Sequence, residues 1–210
     1  MVIVAAGASE RFGDDKLTRE IDGRPLLWHT VNGVIGSVDR CVLVVRPDLI
    51  EWARTQQPEV EVVIGGATRT QSEIAGVYSL DDSFGLIGIH DGARPVVSEQ
   101  LIEGLFVAAD RVGGAIPVVP VEDVLVDQHG AVVAGAYRAQ TPQVFRGAEL
   151  SACLRAAAEE GYRGHDTADV VQRYSNLAIT TVPGDETNVK VTFPEDLVIV
   201  EQVLRGLSRT

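Results

Sequence analysis

Met1-Val-Ile-Val-Ala-Ala-Gly7-Ala-Ser9-Glu-Arg11-Phe-Gly13-Asp-Asp-Lys16 is the stretch whose reading decides the fold. Its apolar and small residues run straight into Gly7, and from there to Lys16 neither a helical nor an alternating apolar period holds. That pattern predicts a buried strand feeding a loop. Gly7 and Gly13 let the loop backbone approach a ligand closely or take a positive φ, Arg11 and Lys16 supply cations, and Ser9 supplies a hydroxyl. Phosphate is the guest that suits such a loop. Spacing excludes two common phosphate loops. Lys16 is separated from Gly13 and followed by Leu17, where a P-loop needs Gly-Lys-Ser/Thr, and Ser9 stands where a dinucleotide fingerprint needs its second glycine.

Working outward, a chain of 210 residues with 45% apolar content and 21 glycines suits one α/β domain, with or without an appendage. No apolar run is long enough to span a bilayer, and the apolar start lacks a basic leader region, so no membrane association is expected and the expected location is cytoplasmic. Cys41 and Cys153 show no C-x-x-C pattern and read as buried, reduced thiols. A net charge of -12 argues against nucleic acid as a partner, because such a surface repels phosphate backbones. Any anionic ligand must be held locally. Of the 18 basic residues only Lys16 and Lys190 are lysines, and both fall in stretches that read as phosphate-binding on other grounds. The four histidines show no metal spacing.

In chain order, Pro25 opens a helix with Leu27, Val31 and Val34 at helical spacing, and Val42 to Val45 is a short apolar run typical of a strand buried on both faces. A weak helix over 48–55 precedes a strand over 60–64, which its glutamates place near a sheet edge. Gly65 to Arg69 makes the turn into a helix ending at Leu80. A central strand over 86–89 then delivers His90-Asp-Gly-Ala-Arg-Pro95 at its carboxyl end, where open α/β sheets bind ligands. Ser98 caps the next helix, whose expected stripe is Leu101, Leu105, Ala108 and Val112, and a strand over 115–119 follows. Residues 121–136 break the rhythm and read as a β-hairpin arm. Beyond them lie a short extended piece over 141–145, helices near 148–160 and 167–174, a strand over 177–182, and a last helix with Thr192 and Glu195 as a capping box. The expected fold is a single Rossmann-like domain over residues 1–210, with a mostly parallel central sheet, helices on both faces and the protruding arm. An isolated ribbon is marginal in water, so the arm is expected to pair with a second copy in a homodimer.

The opening loop, A-A-G-x-S-x-R-x-G-x-x-K, is followed in order by Gly65-Gly-Ala-Thr-Arg-Thr-Gln-Ser72, His90-Asp-Gly-Ala-Arg-Pro95, Gln140-Thr-Pro-Gln143 and Asn188-Val-Lys-Val-Thr-Phe-Pro-Glu-Asp-Leu197. Together they resemble the 2-C-methyl-D-erythritol 4-phosphate cytidylyltransferase family of nucleotidyltransferases, over nearly the whole chain. The resemblance implies transfer of CMP from CTP to a phosphorylated polyol with release of pyrophosphate. It implies that Ala6, Gly7, Ala8 and Ser9 wrap the nucleotide, that Arg11, Lys16 and Lys190 act on its phosphates, and that Gly66 and Ser72 meet the cytosine. Asp91 would hold Mg²⁺ and Arg94 would face the acceptor phosphate. Three positions depart from the family pattern. Asp15 stands where the family usually has proline, and Val124 and Val133 stand where it has a threonine and an arginine that reach the acceptor across a dimer. Arg138 is the nearest candidate to replace the lost arginine. Another acceptor, such as ribitol 5-phosphate or a molybdopterin, or a silent nucleotide-binding subunit, stays open at this point.

Overall fold

Val42 to Val45 sets the layering, because all four of its side chains are buried and they alternate between two cores. Val42 and Val44 join Val2 on one face, while Leu43 and Val45 join Ile3 and Ala5 on the other. The computed structural model describes residues 1–7, 12–13, 15–80 and 84–207, so Ala8, Ser9 and Arg11 of the expected site lie outside the described residues. The chain runs β1 (Val2–Ala5), β2 (Glu20–Ile21), β3 (Arg24–Pro25), α1 (Leu26–Ile35), β4 (Val42–Val45), α2 (Ile50–Gln56), β5 (Glu61–Ile64), α3 (Arg69–Ser79), β6 (Leu86–Asp91), α4 (Glu99–Val112) and β7 (Gly114–Pro120). It continues with β8 (Leu125–Val126), β9 (Val132–Val133), β10 (Tyr137–Ala139), β11 (Gln143–Arg146), α5 (Gly147–Glu159), α6 (Thr167–Tyr174), β12 (Ile179–Pro183) and α7 (Asp196–Leu207).

Strands β6, β1, β4 and β5 lie side by side and parallel, with β5 at the edge as its glutamates imply. Strand β11 pairs antiparallel with both β6 and β7, and β7 also pairs with β10 antiparallel and β12 parallel. The sheet is therefore mixed, with its parallel order interrupted at β11. Only Val144 and Phe145 are apolar in that strand, and both are fully buried, so its apolar pattern is too short to read as more than an extended piece. Residues of α1, α2, α4 and α7 build one core, and those of α3, α5 and α6 build the other.

Two local details differ from expectation. The buried stripe of α4 is Leu101, Ile102, Leu105 and Ala109, with Val112 exposed. The last helix takes its cap from Asp196, whose Oδ2 accepts the N–H groups of Thr192 and Phe193, while the Thr192 hydroxyl donates to the Lys190 carbonyl. The arm forms as a hairpin in which Leu125 faces Val133 and Val126 faces Val132. Its turn is tied by Asp127, whose Oδ1 accepts from His129 and Ala131, with Gly130 at φ +82. Among the described residues no helix is long and apolar enough to cross a membrane, and both cysteines are free.

Helix α3 can lie close on the sheet because Gly76 faces it. A Cβ there would overlap Val2 Cγ1 and come within 2.7 Å of Val44 Cγ2, both on buried β-branched side chains. Gly76→Ala should therefore destabilise the fold by about 1–3 kcal/mol through overpacking, against a helix-propensity gain of about 1 kcal/mol. Urea unfolding checks this, and a variant as stable as the parent would show that α3 yields without cost.

Candidate functional site

The chain moves outward from β1 to β4 and β5, then returns to the other side of β1 with β6. The sheet order reverses beside β1, and a crevice opens there at the carboxyl ends of the strands. It has a volume of about 750 Å³ and is lined by Ala6 and Gly7 after β1, Gly66 after β5, Ser72 on α3, Asp91 at the end of β6, and both lysines, Lys16 and Lys190. A smaller cavity of about 220 Å³ adjoins it, sharing Arg69, Asp91 and Lys190 and adding Arg94 to its wall. Thus the structure brings together the expected residues that it describes, with one exception. Arg138 lines neither cavity and pairs at the surface with Glu186 at 2.8 Å.

Asp91 is the hub of the arrangement. Its Oδ1 meets Arg69 Nη1 at 2.7 Å, and its Oδ2 meets Lys190 Nζ at 2.8 Å and Arg94 Nε at 3.5 Å. Burial alone would raise its pKa, but Arg69, Lys190 and Arg94 more than offset that and hold the carboxyl far below the usual carboxylate range. Arg69 also reaches Glu73, through Nε at 2.7 Å, and Glu73 accepts a further hydrogen bond from the Thr167 hydroxyl at 2.9 Å. Burial pushes the Glu73 carboxyl up, with Arg69 and Thr167 opposing. Arg69 is thus shared by Glu73 on its own helix and by Asp91, 22 residues on.

Behind Asp91 a buried relay fixes the backbone. The Asp91 N–H donates to Thr141 Oγ1 at 3.0 Å, and His90 bridges Thr141 Oγ1 and the Arg94 carbonyl, each at 3.1 Å. A carbonyl can only accept, so Nε2 carries a proton. Burial pushes the His90 pKa down to about 4, so the ring is neutral near pH 7 and Nδ1 accepts from the Thr141 hydroxyl. Asn188 adds a clamp: its Nδ2 donates to the Thr141 carbonyl at 2.8 Å, and its own carbonyl accepts from Arg94 Nη1 at 2.7 Å. Arg69 Nη2 and Asn188 Oδ1 are buried without a hydrogen bond among the described residues, and Arg94 Nε has only its long ion pair with Asp91.

The part of the larger cleft beside the start of α3 is shaped by close backbone contacts. A Cβ on Gly65 would stand 2.6 Å from that of Ala6, and Ser72 Oγ accepts from Gly66 N at 3.2 Å while donating to the Thr68 carbonyl at 2.9 Å. Thr68 and Gln71 form a capping box at the start of α3. Lys16 Nζ donates to the Val191 carbonyl at 2.8 Å, so the first and last expected motifs touch. The described residues lining the larger cleft carry four cations (Lys16, Arg46, Arg69, Lys190) and two carboxylates (Asp48, Asp91), a local excess of two positive charges in a chain of net charge -12. Anion capture is local. Arg46 had no distinguishing spacing in the sequence, whereas Thr141, Asn188 and Arg69 each fall inside a motif quoted for the resemblance without a site role having been read for them.

A neutral buried His90 makes stability depend on pH. The unfolded chain takes up this proton near pH 6.5 and the folded chain only near 4, so the stabilisation is present above 6.5 and is lost as pH falls toward 4. At full titration the loss is roughly 3 kcal/mol. His90→Gln should be less stable than the parent at pH 7, and the gap should narrow as pH is lowered to 4.5 in denaturant titrations. Parallel pH profiles would mean that His90 does not hold its neutral form.

Comparison with known proteins agrees with this geometry. A family model described as 2-C-methyl-D-erythritol 4-phosphate cytidylyltransferase (IspD) matches residues 1–206. The 2-C-methyl-D-erythritol 4-phosphate cytidylyltransferase of Bacillus velezensis is 34% identical, covering 99% of this chain and 96% of its own. The bifunctional enzyme IspD/IspF of Desulfotalea psychrophila is 33% identical over 98% of this chain, and this chain spans 56% of that protein. A crystal structure of the Thermus thermophilus 2-C-methyl-D-erythritol 4-phosphate cytidylyltransferase superposes with a TM-score of 0.83, at 30% identity and 98% coverage of both chains. The chain belongs to the 2-C-methyl-D-erythritol 4-phosphate cytidylyltransferase (IspD) family and is a cytidylyltransferase of isoprenoid biosynthesis.

Proposed function

We propose that CTP lies in the larger cleft and 2-C-methyl-D-erythritol 4-phosphate in the smaller cavity, with reaction at their junction. The observation that carries this reading is the shared wall of Arg69, Asp91 and Lys190, which sets cations between the two spaces. In the reaction an acceptor phosphate oxygen bonds to the α-phosphorus of CTP as the bond to the bridging oxygen breaks and pyrophosphate leaves. No protein nucleophile is needed, and the chain's task is to position the two phosphates and neutralise charge on the equatorial oxygens. Lys16 and Lys190 are assigned to the triphosphate, Gly66 with its Ser72 fastening to the cytosine edge, and Arg94, on the wall of the smaller cavity, to the acceptor phosphate.

Mg²⁺ fits this site on the chemistry of its donors. Asp91 is ionised and faces the cleft, and among the described residues no group of three or more His, Cys, Asp or Glu side chains is arranged to hold a metal ion. The ion would be held by Asp91, shared with Arg69 and Lys190, together with nucleotide oxygens and water, and would supply charge neutralisation at the α-phosphate. Two free thiols are in keeping with a reducing, cytoplasmic setting.

Homodimer formation through the arm is part of the same reading. Val124, Val126 and Val132 are 76%, 58% and 68% exposed, and with Tyr137 they offer an apolar ribbon that no other part of the chain covers among the described residues. Val133 stands on the same ribbon at 47% exposure, so the contacts of Val124 and Val133 would be made to a second copy. Val126→Asp with Val132→Asp should yield monomers in sedimentation velocity at micromolar concentration. A parent protein that already sediments as a monomer would remove the dimer.

Turnover supplies the direct test of function. With CTP, Mg²⁺ and 2-C-methyl-D-erythritol 4-phosphate the protein should release pyrophosphate, and ribitol 5-phosphate should be a poor substitute. Lys16→Ala and Lys190→Ala should each lower turnover by a factor of order 10², as expected when a preorganised charge-stabilising group worth roughly 3 kcal/mol is removed. Near-normal turnover of either variant at saturating CTP would take that lysine out of the transition state.

A further inference from the structure

We infer that Arg46 is a positioning residue for Lys16, clasping together the two ends of the loop that carries it. The inference deepens the cytidylyltransferase reading and rests on it for its kinetic part. Ala5 pairs with Val45, so Arg46, the next residue, stands beside the chain as it leaves β1. Arg46 Nη1 donates to the Gly7 carbonyl at 3.1 Å, and Nη2 donates to Asp15 Oδ2 at 2.9 Å. One guanidinium thus joins the residue that ends the first strand's extension to the residue that begins the turn holding Lys16. Asp48 keeps the guanidinium plane in place, accepting from Nε and Nη2 at 3.1 Å each.

Asp15 passes the constraint on. Its Oδ1 accepts from Leu17 N at 3.2 Å and its carbonyl from the Thr18 hydroxyl at 3.0 Å, capping the turn Lys16–Thr18. Lys16 is then aimed at the Val191 carbonyl across the mouth of the cleft. The Arg46 and Asp15 side chains are each only 20% exposed, so solvent screens their contact less than it would a surface pair. Lysine could not do this work, because a single ammonium cannot reach Gly7, Asp15 and Asp48 with the fixed fork of a guanidinium. The contact with Arg46 is one that the Asp15 carboxylate makes possible.

The test compares Arg46→Gln, Asp15→Asn, the double variant and Arg46→Lys with the parent. Each single variant should raise the KM for CTP roughly tenfold, the scale of a lost charge-assisted hydrogen bond, and leave the KM for the polyol phosphate unchanged. The double variant should be no worse than the worse single one, and Arg46→Lys should resemble Arg46→Gln. Amide hydrogen exchange of ligand-free protein gives a readout independent of activity: in Arg46→Gln, residues 15–19 should exchange faster while residues 42–45 stay as protected as in the parent. A parent without CTP turnover would sink the functional reading while the exchange result still judged the clasp. Multiplicative effects in the double variant, full recovery by lysine, or unchanged exchange at residues 15–19 would each overturn the positioning role.

Discussion

A buried carboxylate has to be matched by positive charge, and this protein is arranged around one such debt at Asp91. Removing a carboxylate from water is costly unless partners replace its hydration. Here the partners arrive from three segments: Arg69 from the start of α3, Arg94 from the loop after β6, and Lys190 from the stretch before α7. Two of the cations that satisfy Asp91, Arg69 and Lys190, border both cavities, and Arg94 borders the smaller one. Neutralising the acid in the folded state therefore also assembles the anion-binding surface, which is how a chain of net charge -12 can present a locally positive cleft.

The charges stay in register because their scaffolding is uncharged. His90, Thr141 and Asn188 form a buried hydrogen-bonded chain that ties β6 to the segment between β10 and β11 and to the 188–191 stretch. Gln143 continues it, donating to Asp166 Oδ2 at 2.8 Å and accepting from Ala168 N at 2.9 Å, which brings the start of α6 to the edge of the smaller cavity. A buried polar network of this kind specifies one arrangement where apolar packing alone would tolerate several. Two faces of the site thus differ in kind. The larger cleft is built from loops at the ends of parallel strands, whereas the smaller cavity draws on residues 139–141 and 143, which lead into the antiparallel β11.

Much of this was legible in the sequence wherever a local rule applied. The apolar run at Val42 to Val45, the Ser98 cap, the turn residues of the arm and the glycines before α3 each express a constraint that acts within a few residues. The motifs carrying the resemblance placed Lys16, Gly66, Ser72, Asp91 and Lys190, and the fold gathers all five at one cleft. Local rules failed where a distant partner decided the outcome. Strand β11 is held by pairing on both sides, with only two apolar residues to announce it. The cap of α7 went to Asp196 rather than Thr192, because the Thr192 hydroxyl turned instead to the Lys190 carbonyl.

By itself, then, the sequence determined most of the strand and helix order, though not β2, β3 or β10, together with the family and the residue types available for charge neutralisation. Periodicity, turn chemistry and motif spacing are all properties of neighbouring residues, and they survive in one dimension. Which charges meet is not such a property. Arg69 finds Asp91 and Arg46 finds Asp15 across 22 and 31 residues, His90 is kept neutral by groups as far off as Thr141, and Lys16 reaches a carbonyl 175 residues away. Only the tertiary structure decided these pairings, because Coulomb and hydrogen-bond energies depend on separation and burial in space, and both are set by the packing of the sheet rather than by position along the chain.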